Sequence, residues 1–218
     1  MRPILITGGA TQNPIDAMRC ITAYATGNTA IQLAKNLHQK NKHTYVLCSQ
    51  MAKLNALHQN HGHNIETFSS TRDLEEKMLS WLTRFANGIV IHSAAVGDYE
   101  ISDDSNQDKK ISSNQSELII KLRPAPKILP QLKRRAPLSK VISFKAASPD
   151  VSIEEMIEIA KMQLQKSNSD LVFANQIGQT HQNVALVLEE HVLKFERRTD
   201  AIEGLLSLVK SWMLLDNQ

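Results

Sequence analysis

The sequence predicts an α/β protein: a mainly parallel sheet with helices on both faces, plus a C-terminal β-hairpin and a protruding flap. Three observations carry that expectation. Short apolar runs alternate along the chain with longer stretches whose apolar residues recur at helical spacing. Two of the runs, Gly88–Ala95 (GIVIHSAA) and Asp170–Ala174 (DLVFA), are apolar without alternation, as strands covered on both faces must be. Near the C-terminus, Val184–Leu188 and Val192–Glu196 flank Glu189-Glu190-His191, the pattern of an antiparallel hairpin. At 218 residues the chain can bury one sizeable core and is short for two, so one domain is expected over residues 1–218.

The elements follow in order. Ile4-Leu5-Ile6-Thr7 reads as a buried strand that ends in Gly8-Gly9, and a long loop leads to a second break at Ala25-Thr26-Gly27-Asn28. Ile31, Leu33, Ala34 and Leu37 then mark an amphipathic helix. His43–Ser49 and Asn64–Ser69 are expected strands, separated by a polar segment from Met51 to His63. Ser70 or Thr71 caps a helix whose apolar face is Leu74, Met78, Leu79, Leu82 and Phe85. After Gly88–Ala95 comes a polar, turn-rich excursion over about residues 100–122, with Leu118–Leu122 as a short strand inside it. Pro124, Pro126 and Pro130 frame a short helix, Val141–Phe144 is a strand, and Ser152 caps a helix over Ile153–Gln165. Ala201–Leu215 is the last amphipathic helix.

Composition narrows the function classes. With 42% hydrophobic and 22% charged residues the chain is globular rather than disordered. The formal net charge of +3 is small and no basic tract carries interleaved aromatics, which argues against nucleic acid and leaves local lysines for small anions. No apolar run approaches the roughly 18 residues of a membrane span. Cys20 and Cys48, without a signal peptide before them, suggest reduced thiols and a cytoplasmic location. His58, His61 and His63 cluster, but no cysteine or carboxylate completes a ligand set, so a solvated loop or short helix is expected there.

The chemistry-bearing residues sit where the strands should end. Gly8 and Gly9 let a backbone approach a ligand, and the helix start at Gly27 offers free amides to phosphate or carboxylate oxygens. Gly88–Ala95 runs into Ala94-Ala95-Val96-Gly97-Asp98-Tyr99, small residues followed at once by a carboxylate. Open α/β sheets bind ligands at such strand tips. Each residue also has a plainer reading: a tight turn for the glycines, a turn cap for Asp98, core packing for Phe144, and a dipole-complementing helix lysine for Lys166.

Six strings in this order, ITGGATQNPIDAMRCIT, VIHSAAVGDY, KKISS, APKIL, SFK and AKMQLQKSNSDLVFAN, resemble the phosphopantothenoylcysteine synthetase family, also called phosphopantothenate–cysteine ligase. The stand-alone bacterial form is the most similar, and the resemblance covers residue 3 to about 200. It implies a Rossmann-like fold and a homodimer. It also implies a reaction in which a nucleoside triphosphate, CTP more than ATP, activates the carboxylate of 4′-phosphopantothenate before cysteine displaces the nucleotide. Mg²⁺ would come with the triphosphate, no protein-held metal is implied, and no flavin is expected.

By the same resemblance, Gly8, Gly9, Asp98, Lys110, Ile128, Phe144, Lys145 and Lys166 fall at the nucleotide. Gly27, Ala94 and Ala95 fall at the acid substrate, the two alanines through small size and backbone amides. Lys110, with Lys109 beside it, would lie over the triphosphate, in this subunit or a neighbour's. Asp98 and Lys110 are the implied catalytic residues. The family's asparagine that helps turn over the acyl-nucleotide is replaced by Ala23. Three readings therefore stand: a working ligase, a divergent enzyme activating another carboxylate, and a binding protein without turnover.

Overall fold

In a computed structural model, the structure describes residues 1–59, 64–102, 108–114 and 116–214. The strands are β1 (Ile4–Gly8), β2 (Gln12–Pro14), β3 (Cys20–Thr22), β4 (Thr44–Ser49), β5 (Ile65–Phe68) and β6 (Ile89–His92), then β7 (Tyr99–Ile101), β8 (Leu122–Pro124), β9 (Lys140–Ala147), β10 (Leu171–Gln176), β11 (Gln182–Val187) and β12 (Val192–Arg197). The helices are α1 (Asn28–His38), α2 (Gln50–His58), α3 (Thr71–Arg84), α4 (Leu129–Arg135), α5 (Ile153–Ser167) and α6 (Arg198–Leu214). Eight strands form one sheet in the order β12-β11-β10-β9-β6-β1-β4-β5. The six from β5 to β10 run parallel, and β11 and β12 close the other edge antiparallel, as the hairpin pattern predicts.

Successive strands leave β1 toward β4 and β5, and the chain then crosses back to place β6 on the other side of β1. The order therefore reverses between β1 and β6, and the loops beyond these strand ends diverge around a crevice. One face of the sheet is covered by α1 and α6 over Ile4, Ile6, Ile91, Ile142 and Phe173. On the other face, α3 and α4 lie over Leu5, Val90 and Val141, while α5 lies over Val172 and Ala174. Ile4, Ile6, Leu33, Leu74, Ile91 and Phe173 are fully excluded from water. Each such side chain contributes about 1.5–3 kcal/mol relative to an exposed one, which is what holds the strand tips in register.

Several local signals act as read. Ser70 caps α3 by accepting from the Asp73 amide at 3.2 Å. Ser152 and Glu155 form a reciprocal capping box on α5.

Of the loop or short helix expected after Met51, the structure has the helix: Met51–His58 belongs to α2, with Ser49 as its cap, while His61 and His63 lie outside the described residues. Two readings need correction. Leu118–Ile120 and Lys121 are not a strand. Of that segment only Leu122 belongs to a strand, as the first residue of β8 against β7. The Lys121 carbonyl accepts from Ser102 just beyond the ribbon, and Glu100 on β7 gathers Arg72 and Arg123 there. The long loop after β1 contains its own ribbon, β2–β3.

Candidate active site

The glycines at the end of β1 are explained first by packing. A Cβ on Gly8 would come within 2.3 Å of Ala30 Cβ, and one on Gly9 within 2.1 Å of Ser49 Oγ. Gly9 and Gly27 also have φ of 83° and 78°, left-handed conformations that side chains resist. Together Gly8, Gly9 and Gly27 let α1 and α2 start directly against the tip of β1. Gly27 is the N-cap of α1 without a side-chain cap.

On the α4–α5 face of the sheet lies a cleft of about 470 Å³. Its walls are Ile128, Leu129 and Pro130 at the start of α4, facing Ile159 and Met162 on α5. Lys145, at the end of β9, and Lys166, in the last turn of α5, line it as cations. Asp98 is the one carboxylate on the lining among the described residues, and it is paired with Lys127. The Asp98 carbonyl also accepts from Ala125 at 2.9 Å, which ties the turn after β6 to the segment that enters α4.

The cleft has a polar floor made by two adjacent strands. His92 and Ser143 are register partners on β6 and β9, and both are buried. Gln163, on α5, donates through Nε2 to Ser143 Oγ at 3.0 Å and to the Phe144 carbonyl at 3.2 Å. A carbonyl only accepts, so the amide nitrogen must face Phe144 and Oε1 is left as an acceptor.

The Thr7 hydroxyl accepts from the Ala94 amide at 3.2 Å and lies 2.8 Å from His92 Nδ1. With the Thr7 hydroxyl donating to Nδ1, the ring carries its hydrogen on Nε2. Burial pushes its pKa down to about 4, so the ring is neutral near pH 7.

Of the residues singled out in the sequence, Ala94, Asp98, Ile128, Phe144, Lys145 and Lys166 come together on this cleft. Gly8, Gly9, Gly27, Ala95 and Lys110 are not on its lining. The alanine amides are not available as supposed, because Ala94 donates to Thr7 Oγ1 and Ala95 to the Gly9 carbonyl at 2.9 Å. The Phe144 ring is stacked 4.7 Å from Phe173, so packing accounts for much of it. Ala23 is exposed on the β2–β3 arm.

Lys110 is exposed at the base of the flap, which the same arm anchors. The buried Asp16 carboxylate pairs with Arg19 and accepts from the amides of Met18, Arg19 and Ile111 at 2.8–3.0 Å. Arg19 beside it, with these amides, holds its carboxyl well below the usual carboxylate range.

His92, Ser143, Gln163, Lys127 and Met162 were missed as site residues. Signals existed for two of them. His92 is the one ionisable residue in an otherwise apolar strand, and Gln163 stands three residues after Ala160 and seven after Met156, on the apolar face of α5.

A cleft beyond the ends of β6 and β9, with apolar walls, a polar floor and lysines on its lining, gives this α/β protein a pocket of ligand size. Residues 1–205 match the family described as the DNA/pantothenate metabolism flavoprotein C-terminal domain, and the chain belongs to that family. It is 29% identical over 199 residues to the coenzyme A biosynthesis bifunctional protein CoaBC of Thermococcus kodakarensis, covering 90% of this chain and 47% of that protein. It thus spans about half the length of the curated relative.

A solved DNA/pantothenate metabolism flavoprotein from Streptococcus pneumoniae superposes with a TM-score of 0.83 at 24% identity, over 97% of this chain and 100% of that one. A Cab2 variant solved with phosphopantothenate-cysteine superposes at 0.71 with 16% identity, over 97% and 87%. At these identities the superpositions establish the fold. Among the described residues, no helix is long and apolar enough to cross a membrane, and no cluster of three metal-ligating side chains occurs.

Proposed function

We propose that the chain is a phosphopantothenate–cysteine ligase. A nucleoside triphosphate would bind in the cleft and activate the carboxylate of 4′-phosphopantothenate as an acyl-nucleotide with release of pyrophosphate. The amine of cysteine would then displace the nucleoside monophosphate and form the amide. The observation that carries this reading is the convergence of Asp98, Ile128, Phe144, Lys145 and Lys166 on one cleft, in a chain of this family.

The chemistry suits the residues. Negative charge builds on the phosphates as pyrophosphate leaves, and Lys145 and Lys166 are cations placed to stabilise it. Asp98, already paired with Lys127, is a poor sole ligand for Mg²⁺, so that ion would be carried by phosphate oxygens and would supply further charge neutralisation when bound. CTP is proposed ahead of ATP on the resemblance alone.

Lys110 does not line this subunit's cleft, and it is proposed to serve a neighbouring copy. The exposed Met18, Tyr24 and Ile119 on the arm and flap give a second copy an apolar surface to cover.

One observation supports a second reading. Ala23 lacks the amide that the resemblance places there, and such a donor is worth roughly 3 kcal/mol to a developing oxyanion. The chain would then complete activation and fail, or slow, at the cysteine step.

Incubating the purified protein with 4′-phosphopantothenate, CTP or ATP, Mg²⁺ and cysteine, with pyrophosphate and amide followed separately, distinguishes these. Both products are expected for the ligase. Pyrophosphate without amide would select the second reading, and neither product would refute the proposal.

A further inference from the structure

The cleft floor carries a hydrogen-bonding pattern that no step above uses. His92 is fixed as an Nε2–H donor by the Thr7 hydroxyl on its Nδ1, and that hydroxyl is itself fixed by the Ala94 amide. Gln163 is fixed as an Oε1 acceptor by its two Nε2 bonds. Both side chains line the same cleft, and the Ser143 that Gln163 holds is the strand neighbour of His92. A donor and an acceptor are thus held on the floor of one cleft, linked through Ser143, and the walls of that cleft include Ile128 and Met162.

We propose that this pair reads the edge of the nucleobase and selects bases with an exocyclic amine over their oxo counterparts. The inference rests on the ligase reading, and concerns the base rather than the reaction. Cytosine presents a ring nitrogen acceptor beside an amino donor, and adenine does the same. Uracil and guanine present a ring N–H beside a carbonyl, which would set donor against donor and acceptor against acceptor.

A buried pair left unmatched in this way costs far more than a missing methylene, which is why such sites discriminate steeply. An uncharged imidazole also suits a neutral base edge better than a carboxylate or phosphate. Those anions have Lys145 and Lys166 on the same cleft.

The test is the affinity of the full chain for CTP, UTP, ATP and GTP by calorimetry, for the wild type and for H92Q, H92F and Q163M. Gln at position 92 can place an amide N–H near where Nε2–H stands, whereas Phe keeps the ring and removes the donor. The wild type is expected to prefer CTP over UTP, and ATP over GTP, by about a hundredfold or more. H92F and Q163M should each lose roughly tenfold or more of that preference, mainly by weaker binding of CTP and ATP, while H92Q keeps most of it.

Equal binding of all four nucleotides by the wild type would overturn the inference and leave the ligase reading standing. So would an unchanged preference in folded H92F, or a defect confined to 4′-phosphopantothenate binding. Failure of the wild type to bind any of the four would sink both. Thermal melting of each variant separates lost folding from lost recognition, and if H92F fails to fold, Q163M decides.

Discussion

Lys166 shows how a residue's chemistry is set by its place in the fold. It lies in the last turn of α5, where a lysine would complement the helix dipole, yet that turn opens on the cleft beside Lys145. Lys166→Ala is expected to raise the KM for the nucleotide by roughly ten- to a hundredfold with little change in melting temperature, since charge-assisted phosphate contacts are worth roughly 1.5–3 kcal/mol and the helix loses little. Steady-state kinetics with thermal melting checks this.

His92 gives a pH signature. Its folded pKa of about 4 lies below the ordinary 6.5, so between those values the unfolded chain binds a proton that the folded chain refuses. Stability should therefore fall as pH drops from 6.5 toward 4, and the urea midpoint of H92Q should fall less over that window. The sequence displayed this histidine plainly within GIVIHSAA, but its tautomer depends on Thr7, which is 85 positions away in the chain. A pattern of strands shows that β1 and β6 exist; only their pairing brings the two side chains together.

At the scale of elements, the node where β1, α1 and α2 meet depends on glycines that leave room for Ala30, Ser49 and Ala52. Gly9→Ala would press a methyl group on Ser49 Oγ and force a side chain into left-handed backbone, and is expected to cost about 1–3 kcal/mol in chemical denaturation. The glycines' ligand-like spacing was legible in the sequence, but their contacts with Ala30, Ser49 and Ala52 were not, since those reside on other elements.

The arm and flap are coupled through Asp16. Its folded pKa is held below the unfolded value of 3.8, so the tether is present at neutral pH and is lost as pH falls below about 3.8 toward the folded value. Asp16→Asn at pH 7 should loosen the same tether. Tryptic cleavage after Lys109 or Lys110 is then expected to quicken by roughly tenfold, with the sheet's melting unchanged. Nothing in the local pattern of residues 100–122 announces this partner, because Asp16 lies on a distant segment and meets Ile111 only in the folded chain.

Across the whole molecule, the alternation of strands and helices, the buried central strands and the closing hairpin were all readable, because each is governed by periodicity and burial along a local stretch. The order of strands and the side of the sheet on which the cleft opens were not, because they depend on crossovers between distant segments. The same limit applies to assembly. Tyr24 and Ile119 stand exposed on two protrusions that one chain leaves uncovered. A dimer is expected by light scattering at micromolar concentration, and Tyr24→Asp should shift it toward monomer with loss of activity if Lys110 works across the interface. A fully active monomer would refute that assignment.

The nucleotide's position in the cleft is the claim from which the rest descends. A crystal structure of the chain with a non-hydrolysable CTP analogue reads it directly. The base is expected between Ile128 and Met162 with its edge on His92 Nε2, and the phosphates beside Lys145 and Lys166. A nucleotide seated on any other surface, or an empty cleft at saturating analogue, would contradict it.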